Sequence, residues 1–266
     1  MHSVEALTRD VDREFGCRTP ATAPVDAAAR AKESARGVPG TDPAPLVVLH
    51  EVGVDLAGTP VLRHLSLSVR PGEVLGVSGP NGCGKTTLLR VLATLLAPAS
   101  GHGTILGAAL GQRGCEAVRP QIGLLTHAPG LYPRLTLGEN LRLVARLTGR
   151  PAQDATRALL DVGLERSAGR RVEQCSQGML RRTELARLLL TEPRLLLLDE
   201  PHTGLDTTAM GLVATLIRRC RERGGAVVLV SHERAQLNAL ADRLVEIVDG
   251  RAVDASLPAS ADEAPA

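Results

Sequence analysis

The octapeptide Gly79-Pro80-Asn81-Gly82-Cys83-Gly84-Lys85-Thr86 constrains this chain more than any other stretch. It fits G-x-x-x-x-G-K-[ST], a loop whose glycines let backbone N–H groups close around phosphate oxygens. The motif requires a buried strand before it and a helix after it, and Glu73–Ser78 and Thr87–Ala97 read as those two elements. A helix N-terminus facing the loop adds its positive dipole end to the anion site. Gly79 through Thr86, with Thr87 following, are therefore expected to hold the phosphates of a nucleotide. Lys85 would reach the β- and γ-phosphates and the Thr86 hydroxyl would ligate Mg²⁺. The chain has only two lysines, Lys32 and Lys85, among 31 basic residues, so a lysine at this point marks a need for a compact point charge.

With 31 basic against 29 acidic residues, the composition does not favour a general nucleic-acid or anionic-membrane surface. Arg218, Arg219, Arg221 and Arg223 read as the wet face of a helix. Aromatics are 1% of the chain, Phe15 and Tyr132, so the core must be built from Leu, Val and Ala. Five cysteines without C-x-x-C spacing imply neither a zinc site nor a disulfide framework and suit a reducing compartment. No apolar run approaches the length of a membrane span, and the first 30 residues lack the apolar region of a secretory signal.

Residues 1–44 are Ala, Pro, Gly and charge, and read as a mobile extension or as sequence upstream of the true start; residues 253–266 read as a flexible tail. The folded part is expected over 45–252. Strands are expected at Leu46–Leu49, Val61–Val69, Thr104–Leu106 and Ile122–Leu125, at the all-apolar runs Leu195–Leu198 and Ala226–Val230, and in a closing hairpin turning at Asp249-Gly250. Between them, about 128–178 reads as a helical insert. Thr136 and Glu139 form a capping box at the start of its first helix, and Ala152–Val162 carries helical spacing. Strands alternating with helices give an open α/β sheet whose ligand sits at the strands' C-terminal ends. Gly79, Asp199 and His232 each follow such an end.

Asp199, closing the Leu195–Leu198 strand, suits a carboxylate that holds Mg²⁺ directly or through water. Glu200 beside it is placed to take the proton of an attacking water as general base. His232 would contact the γ-phosphate and orient Glu200 or the water. Ser176 and Gly178 stand at a helix N-terminus, a second anion site in a chain whose loop already provides one. Such a duplication points to a phosphate presented by another subunit, and so to dimerisation through nucleotide.

Over about residues 46–252 the chain resembles an ABC transporter ATP-binding subunit. The resemblance rests on Gly79–Thr86 (Walker A), Cys175-Ser176-Gln177-Gly178-Met179 (signature), Leu195–Glu200 (Walker B and catalytic Glu), Gly204-Leu205-Asp206 (D-loop) and His232 (switch histidine), in the family's order. It implies a P-loop NTPase core of RecA type, with a mainly parallel sheet, an antiparallel β subdomain and a helical insert. It implies ATP and Mg²⁺, and a head-to-tail dimer in which Ser176, Gln177 and Gly178 of one copy close over the ATP of the other. It also implies transmembrane permease partners and a place on the cytoplasmic face of the membrane. The sequence departs from the family in Gln177 and Met179, in Leu56 where an aromatic usually stacks on adenine, and in His127 where a coupling-loop glutamine usually stands.

The loop Leu125-Thr126-His127-Ala128-Pro129-Gly130 looks like that of the haem-exporter subunit of cytochrome c maturation, and Ser-Gln-Gly-Met before Arg181-Arg182 also suits multidrug-type exporters. A nucleic-acid- or ribosome-associated ATPase of the same superfamily is the reading from another class, and a regulatory ATP-binding protein a third. The first fits poorly: a single cassette is present, and Lys85 and Asp199 are only 114 positions apart (199 − 85), too few for an intervening coiled coil.

Overall fold

The computed structural model describes residues 43–205 and 207–255. Strand β7 (Leu195–Asp199) is buried along its whole length, and its side chains divide between two cores. Leu195 and Leu197 join one apolar cluster, Leu196 and Leu198 the other. A strand covered on both faces needs apolar residues at every position. The same division runs through β3 (Val74–Ser78) and β8 (Ala226–Val230).

These strands lie in a six-stranded sheet of order β10-β9-β3-β8-β7-β6, in which β6 is Ile122–Leu125, β9 Arg243–Val248 and β10 Arg251–Ala255. The pairs from β9 to β6 are parallel, and β10 is antiparallel to β9. One face is covered by helix α1 (Lys85–Leu92) and by a four-stranded antiparallel sheet of order β2-β1-β4-β5. In that sheet β1 is Val47–Leu56, β2 Thr59–Val69, β4 Ser100–Ile105 and β5 Ala108–Ala109. The other face carries α2 (Leu137–Leu147), α3 (Ala152–Asp161), α4 (Gln177–Thr191), α5 (Thr207–Glu222) and α6 (Arg234–Leu240). The architecture is α/β, with the antiparallel subdomain and the helical insert on opposite faces.

The capping box forms as expected. Thr136 Oγ1 accepts from the Glu139 amide at 3.1 Å and Glu139 Oε2 accepts from the Thr136 amide at 2.8 Å. One turn further, the buried Asn140 accepts from the Tyr132 amide (2.8 Å) and donates to the Thr136 carbonyl (2.9 Å), which fixes the loop entering the insert. The closing hairpin turns at Asp249 (φ 49) and Gly250 (φ 76), the left-handed pair that a two-residue loop needs. The arginines expected on a wet helix face make ion pairs there: Arg219 with Asp161, Arg221 with Asp242 and Arg223 with Glu192.

Several expectations need correction. Helix α1 stops at Leu92, not Ala97. Thr94 takes a left-handed conformation (φ 58), its amide bonds Val91 O, and the Leu95 amide bonds Arg90 O. That is a Schellman ending made without glycine, held by Arg119, which donates to Thr94 Oγ1 (3.0 Å) and Thr94 O (2.7 Å). Strand β1 runs past Leu49 to Leu56, because Glu51 (φ 51) bulges out and its amide bonds the Ser66 hydroxyl at 3.1 Å before pairing resumes. Helix α6 was not anticipated. Strand β10 continues to Ala255, where it pairs with Leu244. The extension expected at the N-terminus, up to residue 42, and the tail beyond Ala255 lie outside the described residues.

Candidate nucleotide site

Strand β3 delivers the chain into the Gly79–Thr86 loop. Gly79 (φ 142), Gly82 (φ 80) and Gly84 (φ 110) all adopt conformations that a side chain disfavours. At Gly79 a Cβ would also lie 2.7 Å from both Cys83 Sγ and the Ile247 carbonyl, so only glycine fits. Pro80, Asn81 and Gly82 are exposed, Cys83 is half-buried and Gly84 buried. Lys85 opens α1, and its ammonium donates to Gly79 O (2.7 Å) and Pro80 O (2.8 Å) across its own loop. Thr86 is exposed; Thr87 is turned into the core. No acidic residue occupies the first turn of α1, so its positive end faces the loop unneutralised.

The sheet brings Asp199 to this loop from the far side of β8. Thr86 Oγ1 donates to Asp199 Oδ2 at 3.2 Å, and Asp199 is 5% exposed. A hydroxyl and a buried carboxylate are hard oxygen donors, the set that Mg²⁺ selects.

Glu200 follows with φ 45, strained for a residue that is not glycine. Its Oε1 accepts from the His232 amide at 2.7 Å and lies 2.9 Å from His232 Nδ1. Its Oε2 accepts from the Ser231 hydroxyl at 3.1 Å. The bonded Glu200 carboxylate holds the exposed His232 ring above the usual imidazole value. Ser231 is also 3.4 Å from Gln236 Oε1, and that oxygen lies 2.9 Å from His202 Nδ1, so the first turn of α6 buttresses the pair.

Arg181, 8% exposed, reaches the same region from α4. It donates to Thr126 O (2.7 Å), Asp199 O (3.0 Å), Glu200 O (2.6 Å) and Pro201 O (3.3 Å). Burial lowers its pKa, and the carboxylates of Glu184, Asp199 and Glu200 oppose that shift.

Thr86, Asp199, Glu200 and His232 are thus gathered at one sheet edge around the loop that carries Lys85. Ser176 is not part of this cluster. It caps α4, its hydroxyl accepting from the Met179 amide at 3.3 Å, with Ser176 and Gln177 exposed and Gly178 half-buried. His127 is exposed just beyond β6, and Leu56 ends β1 against the core. Asp206 lies outside the described residues.

Residues 62–203 match the family model described as ABC transporter. The chain belongs to this family. Among its relatives is the cytochrome c biogenesis ATP-binding export protein CcmA 2 of Cupriavidus metallidurans, 42% identical over 186 residues, 69% of this chain and 88% of that one. Nod factor export ATP-binding protein I of a Rhizobium species is 36% identical over 214 residues, 76% of this chain and 70% of that one. Two solved structures superpose well. One, an ATP-binding subunit of an ABC transporter, has TM-score 0.74 and 28% identity over 80% of this chain and 90% of that one. The other, a dimeric ATP-binding cassette in a post-hydrolysis state with ADP and Pi, has TM-score 0.72 and 26% identity over 80% of this chain and 99% of that one.

The cassette is an ATPase of the P-loop class, as the motifs implied. Sequence reasoning gave no role to Arg181, Ser231 or Gln236. Arg181-Arg182 looks like a polar helix face, and only the fold shows that the first of the two is buried. Ser231 adjoins His232, and that adjacency was the one available signal. Among the described residues no helix is long and apolar enough to cross a membrane.

Proposed function

We propose that this chain is the ATP-hydrolysing subunit of an exporter and works as a nucleotide-bridged dimer on the cytoplasmic face of a membrane, bound to permease subunits. The observation that carries this reading is the meeting of Thr86, Asp199, Glu200 and His232 at the loop of Lys85, in a family member 42% identical to a cytochrome c biogenesis export protein. Amides of Gly79–Thr87 and the Lys85 ammonium bind the triphosphate, the ammonium exchanging the Gly79 and Pro80 carbonyls for phosphate oxygens. Thr86 and Asp199 are the residues that would hold Mg²⁺, which when bound neutralises charge developing on the phosphates. Glu200 accepts the proton of the attacking water, and His232 holds that carboxylate and contacts the γ-phosphate. Ser176, Gln177 and Gly178 close over the partner copy's nucleotide. His127 follows the strand end that Arg181 grips, which supports a coupling role at the permease surface.

The cargo we assign is haem for cytochrome c biogenesis. The Nod factor export relatives favour a second cargo class, a Nod factor, on the same engine. Purifying the tagged chain with its membrane partner tests both. The reading expects a polytopic partner that raises ATP turnover, with haem stimulating it further. Turnover indifferent to any membrane partner would contradict the transport role, and stimulation by a Nod factor instead of haem would move the cargo to the second class.

A further inference from the structure

The turn after β7 is held in an unfavourable shape, and one side chain holds it. Glu200 sits at φ 45, a region L-residues populate only when their surroundings impose it. On one side the Glu200 amide bonds Val230 O at 3.0 Å. On the other, the carbonyls of Asp199, Glu200 and Pro201, three in succession, all accept from Arg181. The remaining guanidinium nitrogen donates to Thr126 O, the last residue before His127.

We infer that Arg181 is a positioning residue for hydrolysis: its buried guanidinium fixes the backbone that aims the Glu200 carboxylate, and yokes that backbone to the signature helix and to the start of the coupling loop. A planar fork with five donors can hold these four carbonyls from two chain segments at once, whereas a lysine ammonium has only three donors. Stability alone does not call for it, since a well-packed apolar side chain usually serves a core at least as well as a buried charge. Arg181 lies five positions after the α4 cap Ser176 (181 − 176), so a rigid displacement of α4 pulls on Asp199–Pro201 and on Thr126 together. The inference rests on the assignment of Glu200 as general base.

The test compares wild type, Arg181→Met, Arg181→Lys, Glu200→Gln, the Arg181→Met/Glu200→Gln double variant and Leu185→Ala, a buried cavity control in the same helix. Steady-state hydrolysis, ATP affinity and Tm are measured for each. Arg181→Met is expected to lower kcat by about tenfold or more, with KM and ATP affinity within about threefold of wild type, and Arg181→Lys to fall between. In the Glu200→Gln background the same change should alter the residual rate by less than about twofold, because a residue that acts by aiming Glu200 has nothing left to aim. Leu185→Ala should lower Tm without lowering kcat of the folded protein. If Arg181→Met does not fold, Arg181→Lys carries the test through a kcat loss of about threefold at unchanged KM. Unchanged kcat in the folded Arg181 variants, an undiminished loss in the Glu200→Gln background, or an equal loss in Leu185→Ala overturns the inference. Wild-type hydrolysis by Glu200→Gln would instead overturn the assignment of Glu200.

Discussion

His232 meets Glu200 twice at a single oxygen: its amide donates to Oε1 at 2.7 Å and its ring Nδ1 lies 2.9 Å from the same atom. The backbone contact fixes the carboxylate whatever the charge of the ring, while the ring contact depends on protonation. Because the bonded carboxylate raises the His232 pKa, the favourable term is fully present below the ordinary value of 6.5 and is lost as pH rises through the raised one. In Glu200→Gln the His232 titration, followed by NMR of the ring nitrogens, should shift down toward 6.5. A titration unmoved by that substitution would show that the ring and the carboxylate are not coupled.

The capping box makes a second pH-linked contribution. Hydrogen bonds from the Thr136 backbone and side chain, in that order, hold the Glu139 carboxylate below its ordinary value of 4.5. A lowered folded pKa gives stability that is present above 4.5 and fades as pH falls through the lowered value. Thr136→Ala should cost about 0.5–2 kcal/mol near neutral pH. The penalty, measured by chemical unfolding, should shrink under acid conditions only by the share of the Glu139 shift that the Thr136 side chain supplies, because the backbone amide at position 136 still donates to Glu139 in the variant.

The central sheet was legible because burial on both faces forces unbroken apolar runs, as at Leu195–Leu198 and Ala226–Val230. The loop at Gly79–Thr86 was legible because backbone geometry there admits only glycine at set positions. What escaped depended on partners distant in the chain. Nothing local to Thr94 announces a helix end, since Arg119 completes it from 25 positions away. The continuation of β1 past His50-Glu51 was hidden by a bulge that breaks the alternation and is tied off by Ser66. Arg181 resembles its neighbour Arg182 in sequence, and its role comes from carbonyls delivered by β6 and β7. Helix α6 spans only Arg234–Leu240, and Leu237 and Leu240 are its only large apolar residues, too few to mark a stripe.

The described cysteines differ in reach. Cys220 is fully buried, and burial pushes its thiol up to about 11; Cys115 is buried too. Cys83 is half-buried inside the phosphate loop, its sulfur 3.9 Å from Lys85 Nζ. A maleimide applied at mildly alkaline pH should label Cys83 well before Cys220 and Cys115, abolish ATP hydrolysis, and be slowed at Cys83 by Mg-ATP. Peptide mapping by mass spectrometry reads the order. Inhibition that persists in Cys83→Ala would place the sensitive thiol elsewhere.

Hydrolysis by the Glu200→Gln variant, measured alongside its elution on size exclusion with Mg-ATP, tests the account most directly. Loss of a general base should lower turnover by about 10²–10⁴-fold, while ATP still binds through Lys85 and the chain elutes as a dimer that the wild type forms only transiently. Turnover at the wild-type rate, or a variant that binds ATP and remains monomeric, would contradict it.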